Sequence, residues 1–176
     1  MSNENFLPKD YDPPKGESKY MRFEEGTNKF RMLSKPILGW EDWENKKPLR
    51  FKMDAKPEKP IDSGKPIKHF WAMIVWDYQT ERIEILEITQ ISIQQVITAL
   101  SRDPEWGLPF EYDIKVERLG KGMDTKYTIL GMPPVPITDE IREAYKNTPI
   151  NLAALYEGED PFDTELPNPE LSDLPF

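Results

Sequence analysis

Basic and aromatic side chains are interleaved in one long segment of the chain. Eight basic and three acidic residues lie between Lys46 and Lys68, although the whole chain has a formal net charge of -9. The basic residues are Lys46, Lys47, Arg50, Lys52, Lys56, Lys59, Lys65 and Lys68, and the aromatic ones in or beside the segment are Trp40, Trp43 and Phe51. Cations neutralise phosphates and flat rings stack on bases, so this pattern is typical of a surface for a single nucleic-acid strand. The alternative is an ordinary solvated face.

A second set of candidate binding residues surrounds a predicted turn nearer the C-terminus. Residues 120–124 separate two segments in which polar and apolar residues alternate, which predicts a hairpin. Around that turn lie Lys115, Arg118, Lys121, Lys126 and Tyr127. Lys29 and Arg31 alternate with apolar residues and are expected to point outward from the first strand. These residues either form another wall of the same groove or are solvated strand charges.

The strand predicted from His69 to Tyr78 has two apolar faces. Phe70, Ala72, Ile74, Trp76 and Tyr78 share one face, and Trp71, Met73 and Val75 share the other. One face must fill the core, so the opposite face either lies under another element or is a platform for bases. Aromatic residues in strands are more often core than platform. We favour Trp71 over Trp76 as the binding residue because Trp71 closely follows the basic segment.

No residue pattern predicts catalysis. The chain has no cysteine and a single histidine, which excludes disulfides and leaves no ordinary ligand set for zinc. It has no glycine-rich phosphate loop and no histidine-centred triad. Asp77, Glu84 and Glu87 could in principle hold a divalent metal, but Glu84 and Glu87 fall on opposite faces of a regular strand. We therefore expect no enzymatic activity, cofactor or metal.

The order of predicted elements indicates a mostly β fold. A first strand from Lys29 to about Leu38 is followed by a long basic loop, a hairpin, a helix capped by Thr89, and the second hairpin. A five-stranded antiparallel set with one helix between strands 3 and 4 is the order of the OB barrel, whose strands 2 and 3 and adjoining loops bind oligonucleotides. The long loop, residues 39–67, joins strands 1 and 2, and Leu49 to Met53 within it could pair as a short strand or hairpin arm. A different small barrel or a sandwich is the alternative.

One folded domain is predicted between two irregular ends. Residues 1–27 have prolines but no hydrophobic period and indicate a flexible arm; residues 28–150 hold the domain, including a last helix, Asp139 to Lys146, capped by Thr138. Residues 151–176 are predicted to be a disordered acidic tail, because the stretch from Glu157 onward has seven acidic and no basic residues. No apolar run approaches the about 20 residues that cross a bilayer, and no signal peptide is evident, so we expect a cytoplasmic protein.

The C-terminus resembles the acidic tip of bacterial single-stranded-DNA-binding proteins. From Glu157 onward six acidic residues precede Ser172, and the chain then ends on Asp173, Leu174, Pro175 and Phe176. In that family an acidic residue, an aliphatic residue, proline and a terminal phenylalanine dock into partner proteins. The resemblance implies that this tip recruits replication and recombination proteins.

The segment from His69 to Met132 resembles the core of phage helix-destabilising proteins of the T-even type. The resemblance rests on Phe70-Trp71-Ala72, Val75-Trp76-Asp77-Tyr78, Leu86-Glu87-Ile88-Thr89-Gln90 and Asp124-Thr125-Lys126-Tyr127. Those proteins are OB-fold proteins of replication, recombination and repair. This chain lacks the cysteines of their zinc subdomain and the basic N-terminal cluster that they use for cooperative self-association.

These resemblances imply a phage-encoded protein that binds and protects single-stranded DNA in the cytoplasm of a bacterial host. The rival hypothesis is an OB-like adaptor that binds proteins and whose acidic tail mimics nucleic acid. DNA or RNA preference, site size and oligomeric state are not predicted.

Overall fold

A computed structural model describes residues 18–170, and within them the chain forms eight β-strands in a single mixed sheet. The strands are β1 (Tyr20–Met21), β2 (Gly26–Met32), β3 (Ile37–Glu44), β4 (Lys47–Lys52), β5 (Lys68–Asp77), β6 (Arg82–Ile88), β7 (Tyr112–Leu119) and β8 (Lys126–Pro134). Two α-helices, α1 (Ile91–Arg102) and α2 (Asp139–Lys146), and short 3₁₀ helices at Met53–Ala55, Gly122–Asp124 and Leu152–Glu157 complete the fold.

The main path of the sheet runs β1-β6-β5-β2-β7-β8, and β3 joins it by pairing with both β5 and β4. All pairs are antiparallel except the short parallel pair between β1 and β6. The predicted β-rich class is confirmed, and α1 lies between the two predicted hairpins. The sheet has eight strands instead of five and is not closed.

The first predicted strand is longer than expected and is interrupted. Its two halves, β2 and β3, pair with opposite ends of β5. Between them Leu33 N still donates to Ile74 O, at 2.8 Å, whereas Ile74 N donates to the Ser34 side-chain oxygen, also at 2.8 Å. Pro36 has no N–H to give to a ladder. The chain therefore changes direction at residues 33–36, which the alternating pattern alone did not reveal.

Much of the predicted long loop is a hairpin. β3 and β4 pair from Gly39 to Lys52 through a two-residue turn in which Asn45 and Lys46 have positive φ angles of 50° and 65°. That turn type matches the twist of paired strands. A side-chain carbon at Gly39 would overlap the Phe51 carbonyl oxygen. Only residues 53–67 remain irregular, apart from the Met53–Ala55 turn, so the prediction of a loop from Gly39 was wrong.

Both faces of β5 are buried, each in its own core. Met73 and Val75 belong to a cluster that packs on α1 through Ile93 and Ile97. On the opposite face, Phe70, Ala72, Ile74 and Trp76 belong to a cluster closed by Ile141, Tyr145, Ile150 and Leu155. Each such side chain contributes about 1.5–3 kcal/mol by leaving water. We call residues 139–169, which close the second cluster, the C-terminal cover.

The C-terminal cover corrects the predicted boundary of the tail at residue 151. Leu155 is 3% exposed, Phe162 packs against the same cluster, and the Tyr145 hydroxyl donates to Pro169 O at 2.7 Å. The Asn168 amide donates to Tyr145 O and to Thr148 O, each at 2.8 Å. These apolar and hydrogen-bonding residues stand among the acidic ones, and they pack while the carboxylates face water.

The predicted N-terminal arm is also shorter than expected. Tyr20 and Met21 pair with β6, and Met21 is 4% exposed. Residues 1–17 lie outside the described part of the chain. The prediction of an irregular arm is therefore wrong for residues 20–27, where two strands form or begin.

The two helices differ in how well their caps were predicted. α2 has the predicted bounds, and the Thr138 side-chain oxygen accepts from Ile141 N at 3.3 Å. α1 begins after Gln90, not Thr89, and no side chain caps it. Neither helix, nor any other in residues 18–170, is long and apolar enough to span a membrane.

Candidate nucleic-acid interface

Four aromatic rings lie together on one face of β3, β4 and β5. Trp40 stands opposite Phe51 on one neighbouring strand and opposite His69 on the other, and Trp71 follows His69 by two positions. All four side chains are half-buried. We call Trp40, Phe51, His69 and Trp71 the aromatic patch. Its partly exposed rings are the kind of surface on which bases stack.

Hydrogen bonds fix the orientation of the aromatic patch. The His69 Nδ1 lies 2.7 Å from Gly39 O and therefore carries the proton, which leaves Nε2 to accept from Trp71 Nε1 at 3.3 Å. Trp40 Nε1 donates to Met53 O at 3.1 Å, and its ring centroid lies 5.2 Å from that of His69. The rings are thus positioned before any ligand binds, which lowers the entropy that binding costs.

Several lysines lie in the β3–β4 hairpin that carries part of the aromatic patch and in the irregular segment that follows it. Lys56 Nζ lies 4.3 Å from the Trp40 ring centroid, a cation–π contact at an exposed site. Lys46 forms the turn of the β3–β4 hairpin and Lys47 begins β4; both side chains are exposed. Lys59 and Lys65 are exposed in the irregular segment that follows. These four mobile cations and Lys56 are available to phosphates.

A cavity of about 310 Å³ adjoins the aromatic patch on the side of α1. It is lined by His69, Trp71, Ile91, Gln94, Gln95 and Thr98. Gln94 holds α1 against the sheet by donating to His69 O at 3.2 Å and to Ile88 O at 2.9 Å. The cavity offers both an apolar wall and amide groups next to two aromatic rings.

Arg50, Lys52, Lys68 and Trp43 were predicted as binding residues but fall on the opposite face of the hairpin. Alternation along β3, β4 and β5 places them away from Trp40. The Arg50 guanidinium donates to Glu87 at 2.6 Å and lies 3.5 Å from Glu41. Arg50 therefore forms ion pairs within the fold. Lys52 Nζ lies 5.8 Å from the Tyr156 ring centroid.

Burial and a neighbouring carboxylate raise the pKa of one carboxyl in the cluster around Arg50. Glu41 is 3% exposed. Burial, and then the neighbouring Glu87 carboxylate, raise the pKa of Glu41 to about 9, although Arg50 acts in the opposite direction. This cluster holds β3, β4 and β6 together and belongs to the fold of the hairpin.

Arg31 lies on the predicted face of β2 but is not exposed to solvent. It is 2% exposed, and its guanidinium donates to Phe110 O at 2.9 Å, Val135 O at 2.6 Å and Asp113 at 3.2 Å. It faces the outer side of β2, but the segments around residues 110 and 135 cover it. Lys29 is half-exposed and lies 3.6 Å from the same Asp113 carboxylate.

The basic residues predicted as a second wall lie on or beside β7 and β8, at one end of the sheet path, whereas β3 joins that path through β5. Lys121 and Lys126 are exposed and Lys115 is half-buried. Arg118 donates to Phe23 O at 2.8 Å, and the Tyr127 ring centroid lies 6.2 Å from that of Phe23. Arg118 and Tyr127 therefore adjoin the N-terminal segment, which the sequence did not indicate.

Of the three carboxylates considered as a metal site, Glu87 lies apart from the other two, on the opposite face of β6 as its spacing from Glu84 predicted. Asp77 and Glu84 lie together at the end of the β5–β6 hairpin, while Glu87 binds Arg50. Burial, followed by the neighbouring Asp77, raises the pKa of Glu84 to about 7. Within residues 18–170 no three histidine or acidic side chains are grouped as metal ligands.

Phe51 and Trp40 were predicted individually, but His69 and the glutamines of α1 were not. The signal for His69 was its spacing of two from Trp71, which places both on one face of a strand. Of the two tryptophans weighed in β5, Trp71 is half-buried and Trp76 is 4% exposed. The predicted partner-binding residues Asp173, Leu174, Pro175 and Phe176 lie outside the described residues.

The chain is similar in sequence to a phage protein. It is 24% identical over 139 residues to a protein of Escherichia phage T5 described as a probable ssDNA-binding protein. The match covers 62% of this chain and 53% of the phage protein, so the chain spans about half the length of that relative. No family profile and no solved structure matches the chain.

Proposed function

We propose that this protein binds single-stranded DNA without reading its sequence, through the aromatic patch and the lysines beside it. The observation that carries the proposal is the arrangement of Trp40, Phe51, His69 and Trp71 on one face, half-buried and fixed by hydrogen bonds. Stacking one base on such a ring contributes about 1–3 kcal/mol and tolerates any base. Exposed lysines supply the sequence-independent attraction to phosphates.

The relative supports the same function. A probable ssDNA-binding protein of a phage shares 24% identity with this chain, and the chain itself carries the aromatic and basic residues such binding needs. We infer that the sheet is an open variant of the OB fold, because two hairpins flank one helix and the first long strand pairs with members of both. In this variant the C-terminal cover occupies one face of β5 and β6.

The biological setting proposed from the sequence is phage replication, recombination and repair in a bacterial host. The tip at Asp173 to Phe176 is proposed to recruit proteins of those processes, supported by its match to the tips of bacterial single-stranded-DNA-binding proteins. Binding of this kind needs no cofactor and no metal.

A fluorescence titration with oligo(dT) tests the function. Stacking on Trp40 or Trp71 should quench tryptophan emission, and Trp40→Ala should weaken binding about 5- to 100-fold, the loss of one stacked base. Trp43→Ala is the matched control, because Trp43 lies in the same strand on the opposite face. Emission that does not change with oligo(dT) would contradict the proposal and favour the protein-binding adaptor.

A further inference from the structure

A second cavity lies where the two ends of the sheet fail to meet. It has a volume of about 250 Å³ and is lined by Met21, Arg22, Phe23, Leu86, Glu87, Gln90, Arg118 and Tyr127. Residues from β1 and β6 form one side, and residues from β7 and β8 form the other. We call it the seam cavity. It is too small for a folded partner and large enough for a phosphate group with part of a sugar.

Two arginines give the seam cavity its charge. Arg22 is exposed and makes no ion pair with any residue in 18–170. Arg118 donates one guanidinium nitrogen to Phe23 O at 2.8 Å, but its Nε is buried and finds no hydrogen-bond acceptor among the described residues. The Arg118 side chain is half-buried and lines the seam cavity, so its guanidinium adds planar hydrogen-bond donors of the kind that bind phosphate.

The remaining lining groups are compatible with an anion. The Glu87 carboxylate is already neutralised by Arg50 at 2.6 Å. The Phe23 and Tyr127 rings, 6.2 Å apart and edge to face, form an apolar wall of the cavity. Gln90 contributes a polar side chain at the start of α1.

The seam cavity is continuous in sequence with the cavity beside the aromatic patch. Trp71 pairs with Ile88 across β5 and β6, and Gln90, which lines the seam cavity, follows Ile88 by two positions. Ile91, the next residue, lines the cavity beside the aromatic patch. The junction of β6 and α1 thus contributes to both cavities, and a strand stacked on Trp71 would pass it to bring its backbone to Arg22 and Arg118. We infer that the seam cavity binds a phosphodiester of the single-stranded DNA held by the aromatic patch. The inference rests on the proposed function.

The test compares Arg22→Gln with Arg102→Gln, an exposed arginine in the last turn of α1. Binding of oligo(dT) is measured against salt concentration. Arg22→Gln should weaken binding about tenfold at low salt and should reduce the log–log salt slope by about 0.7, the value for one phosphate on a single strand. Arg102→Gln should change neither. Arg118→Lys, which keeps the charge but loses the planar fork, should weaken binding in the same direction.

Oligonucleotide length separates the seam cavity from the patch. With oligo(dT) from about 4 to about 16 nucleotides, the range of OB-type sites, Arg22→Gln should bind the shortest oligonucleotides normally and lose the gain in affinity that comes with length. If wild type binds and Trp40 is quenched, yet the salt slope of Arg22→Gln equals that of wild type, the seam inference fails and the proposed function stands. If wild type does not bind oligo(dT), both fail. Loss of free dTMP binding in Arg22→Gln with unchanged oligo(dT) binding would also overturn the inference, because the site would then take a nucleotide and not the strand.

Discussion

At the scale of single residues, the buried carboxyl of Glu84 shows an energetic cost of placing an ionisable group inside the fold. Glu84 is 2% exposed, accepts from the Thr80 hydroxyl at 3.0 Å and lies beside Asp77. Burial of a carboxylate next to a second carboxylate disfavours its ionisation. The pKa of Glu84 is accordingly raised to about 7 from an ordinary value of 4.5.

The raised pKa of Glu84 predicts a loss of stability between about pH 4.5 and pH 7. In this window the unfolded chain has already released the proton that the folded chain still holds, so the free energy of unfolding falls as pH rises and levels off above pH 7. Glu84→Gln removes this charge, and should be more stable than wild type at pH 8 by about 2 kcal/mol. Urea unfolding at pH 5 and pH 8 measures the difference. An equal pH dependence in both proteins would show that Glu84 ionises normally in the fold.

Some of the basic residues predicted to bind DNA instead form ion pairs with carboxylates that are distant in the sequence. Arg31 and Arg50 were expected to meet phosphates, but each is bound by a carboxylate, Asp113 and Glu87 respectively. Those carboxylates lie 82 and 37 positions along the chain. Nothing in the local pattern around an arginine reveals such a partner, so alternation predicted the face of Arg31 correctly and its exposure wrongly.

At the scale of elements, local signals predicted most helices and strands. The β5–β6 and β7–β8 hairpins, α1 and α2 follow from periodicity and turn residues within a few positions. Of the β3–β4 hairpin only a possible arm at Leu49 to Met53 was predicted, because Pro48 and the surrounding prolines are typical of a loop and because the turn, Asn45-Lys46, lacks the usual glycine. The aromatic patch depends on the register between three strands, which the sequence of one strand does not contain.

The close approach of β4 to β3 at Gly39 predicts that this hairpin is sensitive to one methyl group. A side-chain carbon there would overlap Phe51 O and press on the Phe70 ring. Gly39→Ala should therefore destabilise the protein by about 2 kcal/mol or more and weaken oligo(dT) binding, since Trp40 and Phe51 would lose their register. Thermal unfolding and DNA titration measure the two effects.

Gly64→Ala is the control for Gly39→Ala. Gly64 lies in the irregular segment, and an added carbon would meet only the Asp62 carboxylate at 3.4 Å. It should leave both stability and DNA binding nearly unchanged. Equal behaviour of the two variants would mean that β4 can shift away from β3 without consequence for the aromatic patch.

At the scale of the whole molecule, the apolar residues of the C-terminal region pack against the core while its acidic residues are exposed to solvent. Apolar Leu155 and Phe162 close the core on one face of β5, so a ligand of that strand must approach from the face of Trp71. The acidic residues around them remain exposed. Tyr156 links the two sides, because its hydroxyl donates at 2.6 Å to Leu38 O at the base of the β3–β4 hairpin.

Because the C-terminal region contributes both packing and charge, its effect on DNA binding has to be tested without disturbing the packing. Deleting residues 157–176 removes Phe162 and Asn168 together with the acidic residues, so it should destabilise the fold, and a change in DNA binding could not then be assigned to charge. Neutralising Glu159, Asp163 and Glu165, which are exposed, as Glu159→Gln, Asp163→Asn and Glu165→Gln removes charge and keeps the packing.

The neutralised variant should keep the thermal stability of wild type and bind oligo(dT) more tightly. Carboxylates fixed near a cationic surface lower the local potential that attracts DNA, and this repulsion is long-ranged only at low ionic strength. The gain should be several-fold at about 0.01 M salt, where the screening length is about 30 Å, and should vanish at about 1 M salt, where it is about 3 Å. Filter binding over that salt range measures it. A gain that persists at high salt would mean that the substitutions altered the binding surface itself, and no gain at low salt would mean that the tail acids lie too far from the bound strand to act on it.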